Sequence, residues 1–267
     1  MTEIAQPAPA DGTPPEPATA AADAETEAQA EASAPLADVL GEVPVAFQDP
    51  GYRAAVVDLL GAIAYGEISA FDRLAEDARL SPTLVDKLAL GKMATIQFNH
   101  VEPLLGRITA LGAEPMQAMA PFVKPFDAFH AQTAPRNWLE GLVKAYVGDG
   151  LAADFYREVA AFLDADTRDL VIASLVDSGH SAFVVDRVRR EIEQDARVAG
   201  PLALWGRRLM GEALSQAQRV VAERDSLASL LAGGVDRPGL DLAALGRMFT
   251  RLTENHCKRM DELGLAA

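Results

Sequence analysis

From Tyr52 onward, apolar residues return at helical spacing. Val56, Leu59, Leu60, Ile63 and Ala64 fall three, four, seven and eight positions after the first, the signature of one buried helix face. The pattern predicts a helix over 52–80. Ser81-Pro82-Thr83 then supplies a short turn and a helix start with proline at an early position. A second helix is predicted from about 82 to 111, stopping at Gly112. Two long helices joined by so tight a turn pack antiparallel. The rhythm breaks over 113–135, where Pro115, Pro121, Pro125 and Pro135 lie among Met116, Met119, Phe122, Phe126 and Phe129. That stretch is too apolar for a free linker and reads as a packed crossover running the length of a bundle. A third helix is predicted over 136–163, and Asp164-Ala165-Asp166-Thr167 offers a turn and an N-cap. A fourth helix continues to about 196. Two more follow, over 201–231 and 240–263, separated by Gly233-Gly234 and Pro238. Alternation of period two, the mark of a strand, appears nowhere.

Two helical hairpins joined by a long crossover define the expected fold class: all-α, a ferritin-like four-helix bundle, with two additional C-terminal helices. Composition agrees, because 49% of the residues are apolar but only 6% aromatic, a balance that favours helices over strands. Residues 1–45 read as a separate acidic, Ala/Pro-rich tail, expected to be disordered, and 46–267 as the helical domain. The first 50 residues hold ten acids and no Lys or Arg, so of the net charge of −15 only about −5 belongs to the rest. An acidic surface disfavours nonspecific nucleic-acid binding. The best basic patch for an RNA backbone is Trp205-Gly206-Arg207-Arg208, whose default reading is an interhelix salt-bridge site. Cys257 is the single cysteine, which excludes an internal disulfide and a cysteine-based metal cluster. No apolar run of transmembrane length and no secretory signal is read in the sequence, so no membrane association and a cytoplasmic location are expected.

A di-metal bundle site takes one acid from each of two helices and a Glu-x-x-His pair from each of the others. Residues three apart share a helix face, so such a pair can grip one ion. The sequence offers this pattern twice, imperfectly: Gln97-Phe98-Asn99-His100 on the second helix and Asp177-Ser178-Gly179-His180 on the fourth. Upstream stand Glu67 on the first helix and Asp149 on the third, 30 and 28 residues before Gln97 and Asp177. Asp154 straddles the second turn more evenly than Asp149 does, so the two compete for the third-helix role. A carboxylate in a setting as apolar as Ile63-Ala64-Tyr65-Gly66-Glu67-Ile68 is costly unless paired or metal-bound. His130 and His256 have no comparable partners and read as structural, with His256 a candidate for the site's lid.

The segments Ala64–Phe71, Trp138–Glu140, Val143–Asp149, Ala152–Asp154, Asp177–His180, Leu204–Arg208, Gly211–Ala213 and Glu254–Met260 resemble the actinobacterial ferritin-like proteins related to tRNA-(ms2io6A) hydroxylase. The resemblance runs from Leu59 to about Leu265. It implies a carboxylate-bridged di-iron site that activates O2, and relatives of the hydroxylase kind act on an isopentenyl-type modified adenosine in tRNA. The ligands it carries over are Glu67, His100, Asp149, Asp177 and His180. Two positions depart from the family pattern. Gln97 stands where the family has Glu, and an amide is a neutral, weaker ligand that does not bridge two cations as a carboxylate does. Asp177 is one methylene shorter than Glu.

Three functions follow as expectations. The first is an iron-dependent, O2-using hydroxylase with a tRNA substrate. The second is a non-catalytic helical module with a decayed site, its apolar helices after 201 available for packing or self-association into a homo-oligomer. The third is a protein that binds one ion through Asp149, Asp177 and His180 without oxidation.

Overall fold

The computed structural model describes residues 47, 49–176, 180–232 and 241–267, except for the side chains of His180 and Leu242. The acidic tail and the Gly233-Gly234 and Pro238 break fall outside the described residues. No strand occurs among the described residues. The helices are α1 (Pro50–Asp77), α2 (Leu84–Asn99), α3 (Val101–Ala110), α4 (Pro115–Gln132), α5 (Trp138–Ala160), α6 (Ala165–Ser174), α7 (His180–Gln194), α8 (Ala199–Glu223), α9 (Asp225–Ala232) and α10 (Leu242–Glu262).

The starts are set by side chains that accept from orphan backbone N–H groups. Asp49 accepts from Gly51, Thr83 from Asp86, Asn137 from Glu140 and Asp164 from Thr167. Helix α1 is the axis of the fold and packs on α2, α3, α4 and α9, while α5 gathers α6, α7, α8 and α10. Cross-helix contacts fix the directions. Phe71 meets Phe98 and Glu67 meets His100, so α1 and the α2–α3 strip run antiparallel as expected. The α1 and α5 helices are also antiparallel, since Asp77 lies against Gly141 and Tyr52 against Asp164. By length and apolar content α1 with the following turn could cross a membrane, but most of its apolar window is buried by other helices, as in the core helix of a bundle.

Three predicted elements are refined. The second helix is two, parted at His100. Pro103 explains the break: its ring collides with the carbonyl four residues back, at Asn99, and it brings no N–H to bond there. The crossover is itself an 18-residue helix, α4, with Pro121 and Pro125 inside it. Its four-residue proline spacing leaves enough of the hydrogen-bond ladder for the apolar face of Ala118, Met119 and Phe122 to bury. Gly61 lets α4 approach, because a Cβ there would strike the Ala118 carbonyl. The fourth helix is likewise split, into α6 and α7.

Candidate metal centre

The cavity at the heart of the fold has a volume of about 1180 Å³, above the usual 300–1,000 Å³ of small-molecule pockets. It follows α1 along one continuous stripe: Leu59, Ile63, Glu67, Ala70, Leu74 and Asp77 all line it. Opposite walls come from α4, α5, α8, α9 and α10.

Four of the predicted site residues meet there in two pairs. Glu67 Oε2 lies 3.3 Å from His100 Nδ1. Gln97 donates its amide N–H to Asp149 Oδ2 at 3.2 Å. His100 keeps helical backbone angles with its N–H on the Gln97 carbonyl, so its imidazole lies one turn beyond Gln97 and against Glu67. Glu67 is only 8% exposed. Burial pushes its carboxyl above the ordinary range, and the hydrogen bond from His100 offsets this only in part. The same hydrogen bond raises His100, against burial. Tyr156 also faces the cavity, where burial and the Glu67 charge both keep its phenol protonated.

Asp154 is engaged differently. Its carboxylate is ion-paired with Arg259 at 2.7 Å and Arg157 at 3.2 Å. Arg259 crosses the space above Gly150, where a Cβ would lie 2.6 Å from the guanidinium chain. Asp149 thus stands beside the second-helix amide, while Asp154 fastens α5 to α10. Asp177 and the His180 side chain lie outside the described residues.

Among the described residues, no group of three or more His, Cys, Asp or Glu side chains is gathered as a complete metal site. The described donors still suit a hard-to-borderline divalent ion such as iron(II), which takes carboxylate and imidazole together. Two ligand atoms about 2.1 Å from one ion and 90–109° apart at it are separated by about 3.0–3.4 Å. The Glu67–His100 distance of 3.3 Å is in that range, so a cation would enter between them with little rearrangement and compensate a buried carboxylate.

The cavity also holds Asp77 and Lys144, which sequence reasoning passed over, and His130, which it read as structural. All three line its far end. His130 carries a buried Nδ1 with no hydrogen-bond partner among the described residues. The signal for Asp77 was available, since it continues the apolar stripe of α1. So was the signal for Lys144, a lone charge in Leu142-Val143-Lys144-Ala145-Tyr146. His256 is buried with neither ring nitrogen hydrogen-bonded, and it is not among the cavity-lining residues. The basic cluster makes backbone contacts rather than the expected interhelix salt bridges: Arg207 donates to the Ala266 carbonyl, beyond the end of α10, and Arg208 to that of Gln132 at the end of α4.

The solved structure of a protein from Synechococcus with aldehyde deformylating oxidase activity is similar in fold, with a TM-score of 0.63 and 20% sequence identity over 83% of this chain and 94% of that one. No curated protein matches the sequence. The family model described as the ferritin-like domain of actinomycetes matches residues 50–234. With an all-helical bundle, a central acid–imidazole pair and a match over most of its length, the chain belongs to the ferritin-like domain family of actinomycetes.

Proposed function

We propose that this protein is an iron-dependent, O2-using oxidase that acts on an organic molecule held in the bundle cavity. The observation that carries this reading is the Glu67–His100 pair, its carboxylate buried and its imidazole half-buried on the wall of a cavity large enough for a substrate. In this reading Glu67, His100 and Asp149 hold iron together with Asp177 and His180, and Gln97 orients Asp149 through its amide. Asp154 stays in the ion-pair network that fixes α10. Bound iron(II) supplies the electrons and open coordination for dioxygen activation. Tyr156 and the apolar lining keep bulk water away from the substrate carbon. The Glu67 carboxylate neutralises cationic charge in a low-dielectric setting, where it is worth most.

A tRNA substrate is implied by the sequence resemblance. The acidic body lends it no support, and Arg207 and Arg208 are already spent on backbone carbonyls. A cavity substrate is therefore the better reading.

The test is anaerobic iron(II) loading of the full chain, desalting, elemental counting and O2-electrode measurement with a reductant. We expect one to two irons per chain and O2 consumption. In the Glu67→Ala/His100→Ala double variant, iron should fall at least tenfold while the helical circular-dichroism spectrum persists. A wild-type chain that retains only trace iron overturns the proposal.

A further inference from the structure

The far end of the cavity is built, and the metal pair does not use it. Asp77 on α1 and Lys144 on α5 are both nearly sealed from solvent, at 7% and 5% exposure, yet both line the cavity. They attract one another electrostatically, but no hydrogen bond or contact ion pair joins them. Lys144 Nζ donates one hydrogen bond, to the Thr133 carbonyl at 2.8 Å, and an ammonium has three N–H groups to give. Gly141 on α5 makes room for the acid, since a Cβ there would lie 3.2 Å from the Asp77 carboxylate. His130 adds an unpartnered Nδ1 in the same region. A donor and an acceptor held apart in an apolar cavity are costly unless something satisfies both.

The remainder of the cavity dictates the shape of that something. The lining stripe runs from Leu59 to Asp77, eighteen residues of α1 or about 27 Å at the helical rise. Glu67 is ten residues, about 15 Å, from Asp77. Between and beyond the two polar stations the α1 wall offers Ile63, Ala70 and Leu74, with Arg73 also on the lining but committed to Glu76 by an ion pair at 2.7 Å.

We infer that the cavity takes a single-chain aliphatic alcohol, its hydroxyl seated between Asp77 and Lys144 and its chain laid along α1 past Glu67 and His100. A hydroxyl both donates, to the carboxylate, and accepts, from the ammonium. A carboxylate head would face Asp77, and an ammonium head would face Lys144. A bare alkane would leave both groups unsatisfied. The inference deepens the proposed function by naming its substrate class, and it places the chain carbon nearest the iron pair about 15 Å from the head rather than at it.

The binding test uses the full chain without added iron, so its outcome is independent of the metal reading. 1-Hexadecanol, hexadecane and palmitate are titrated near neutral pH with displacement of a fluorescent apolar probe. We expect 1:1 binding of the alcohol at least tenfold tighter than either of the other two. Lys144→Met and Asp77→Leu should each bring the alcohol down to the alkane's affinity. Unchanged hexadecane binding reports that the cavity of each variant is intact. Equal affinity for alcohol and alkane in the wild-type chain overturns the inference, as does palmitate binding as tightly as the alcohol. Alcohol binding that survives in both variants, each retaining hexadecane binding, also overturns it.

Discussion

Asp86 and Glu67 are both acids taken out of water, yet the fold treats them oppositely. Asp86, at the start of α2, receives the Arg187 guanidinium at 2.6–2.8 Å and the Thr83 hydroxyl at 2.7 Å. Burial works against its charge, and these partners outweigh burial, holding the carboxyl below its usual range. On α1, Asp58 is clasped by Arg224 and the Ser226 hydroxyl. Glu67 and Asp77, on the same helix, accept no arginine hydrogen bond among the described residues, and burial drives both carboxyls up. The first pair of acids joins helices. The second pair faces the cavity and is left incompletely compensated, which is the state expected of groups waiting for a cation or a polar ligand.

The largest test of this contrast removes a structural acid. Removing one partner of a buried ion pair costs about 3–5 kcal/mol. Arg187 keeps a quarter of its side-chain exposure, which reduces the expected loss for Asp86→Ala to about 2–3 kcal/mol. Urea denaturation near neutral pH would measure it. Because the folded-state pKa of Asp86 is depressed, its contribution is present above the unfolded value and fades as pH falls through the folded one. A variant as stable as wild type would erase the distinction between joining and facing acids.

Asp77 should respond with the opposite sign. Burial raises its pKa from 3.8 to about 6, while Lys144 and Arg73 lower it and Glu76 raises it. Its stabilising contribution is complete below 3.8 and is lost as pH rises through about 6. At about 1.4 kcal/mol per unit, the shift is worth up to about 3 kcal/mol. The stability difference between wild type and Asp77→Asn, measured by denaturation from pH 4 to 7, should change by roughly that amount, with the variant gaining on wild type as pH rises. A difference that stays flat across the range would show that Asp77 is solvated in the folded chain.

Much of this was legible in the sequence because helices are written in apolar spacing. The hairpins, the burial of Glu67 and its nearness to His100 follow from period and turn position, whereas turn position favoured Asp154 over the Asp149 that Gln97 meets. What was not legible depended on prolines and on long side chains. Pro121 and Pro125 made α4 look irregular, although a helix held by an apolar face tolerates them. Pro103 parts the second helix at His100, and Glu67 meets His100 while Gln97 donates to Asp149. Asp154 had the better turn position, but Arg259, a hundred residues later in the chain, reaches back and holds it in an ion pair. Tertiary partners of that kind leave no mark on local pattern.

Gln97 is where the two kinds of acid can be interconverted with the smallest perturbation. Its amide now donates to Asp149, so the pair carries one negative charge. Gln97→Glu would replace an N–H donor with an oxygen and set two carboxylates together on the cavity wall. Without metal, repulsion and the lost hydrogen bond should lower stability by about 1 kcal/mol, read as a drop in the thermal midpoint. With iron(II) present the added charge becomes a ligand, and the variant should match or exceed wild-type stability because binding to the folded state adds to it. A drop that iron does not reverse would place Gln97 among the joining residues, and Glu67 and His100 would then hold their ion without help from this side of the cavity.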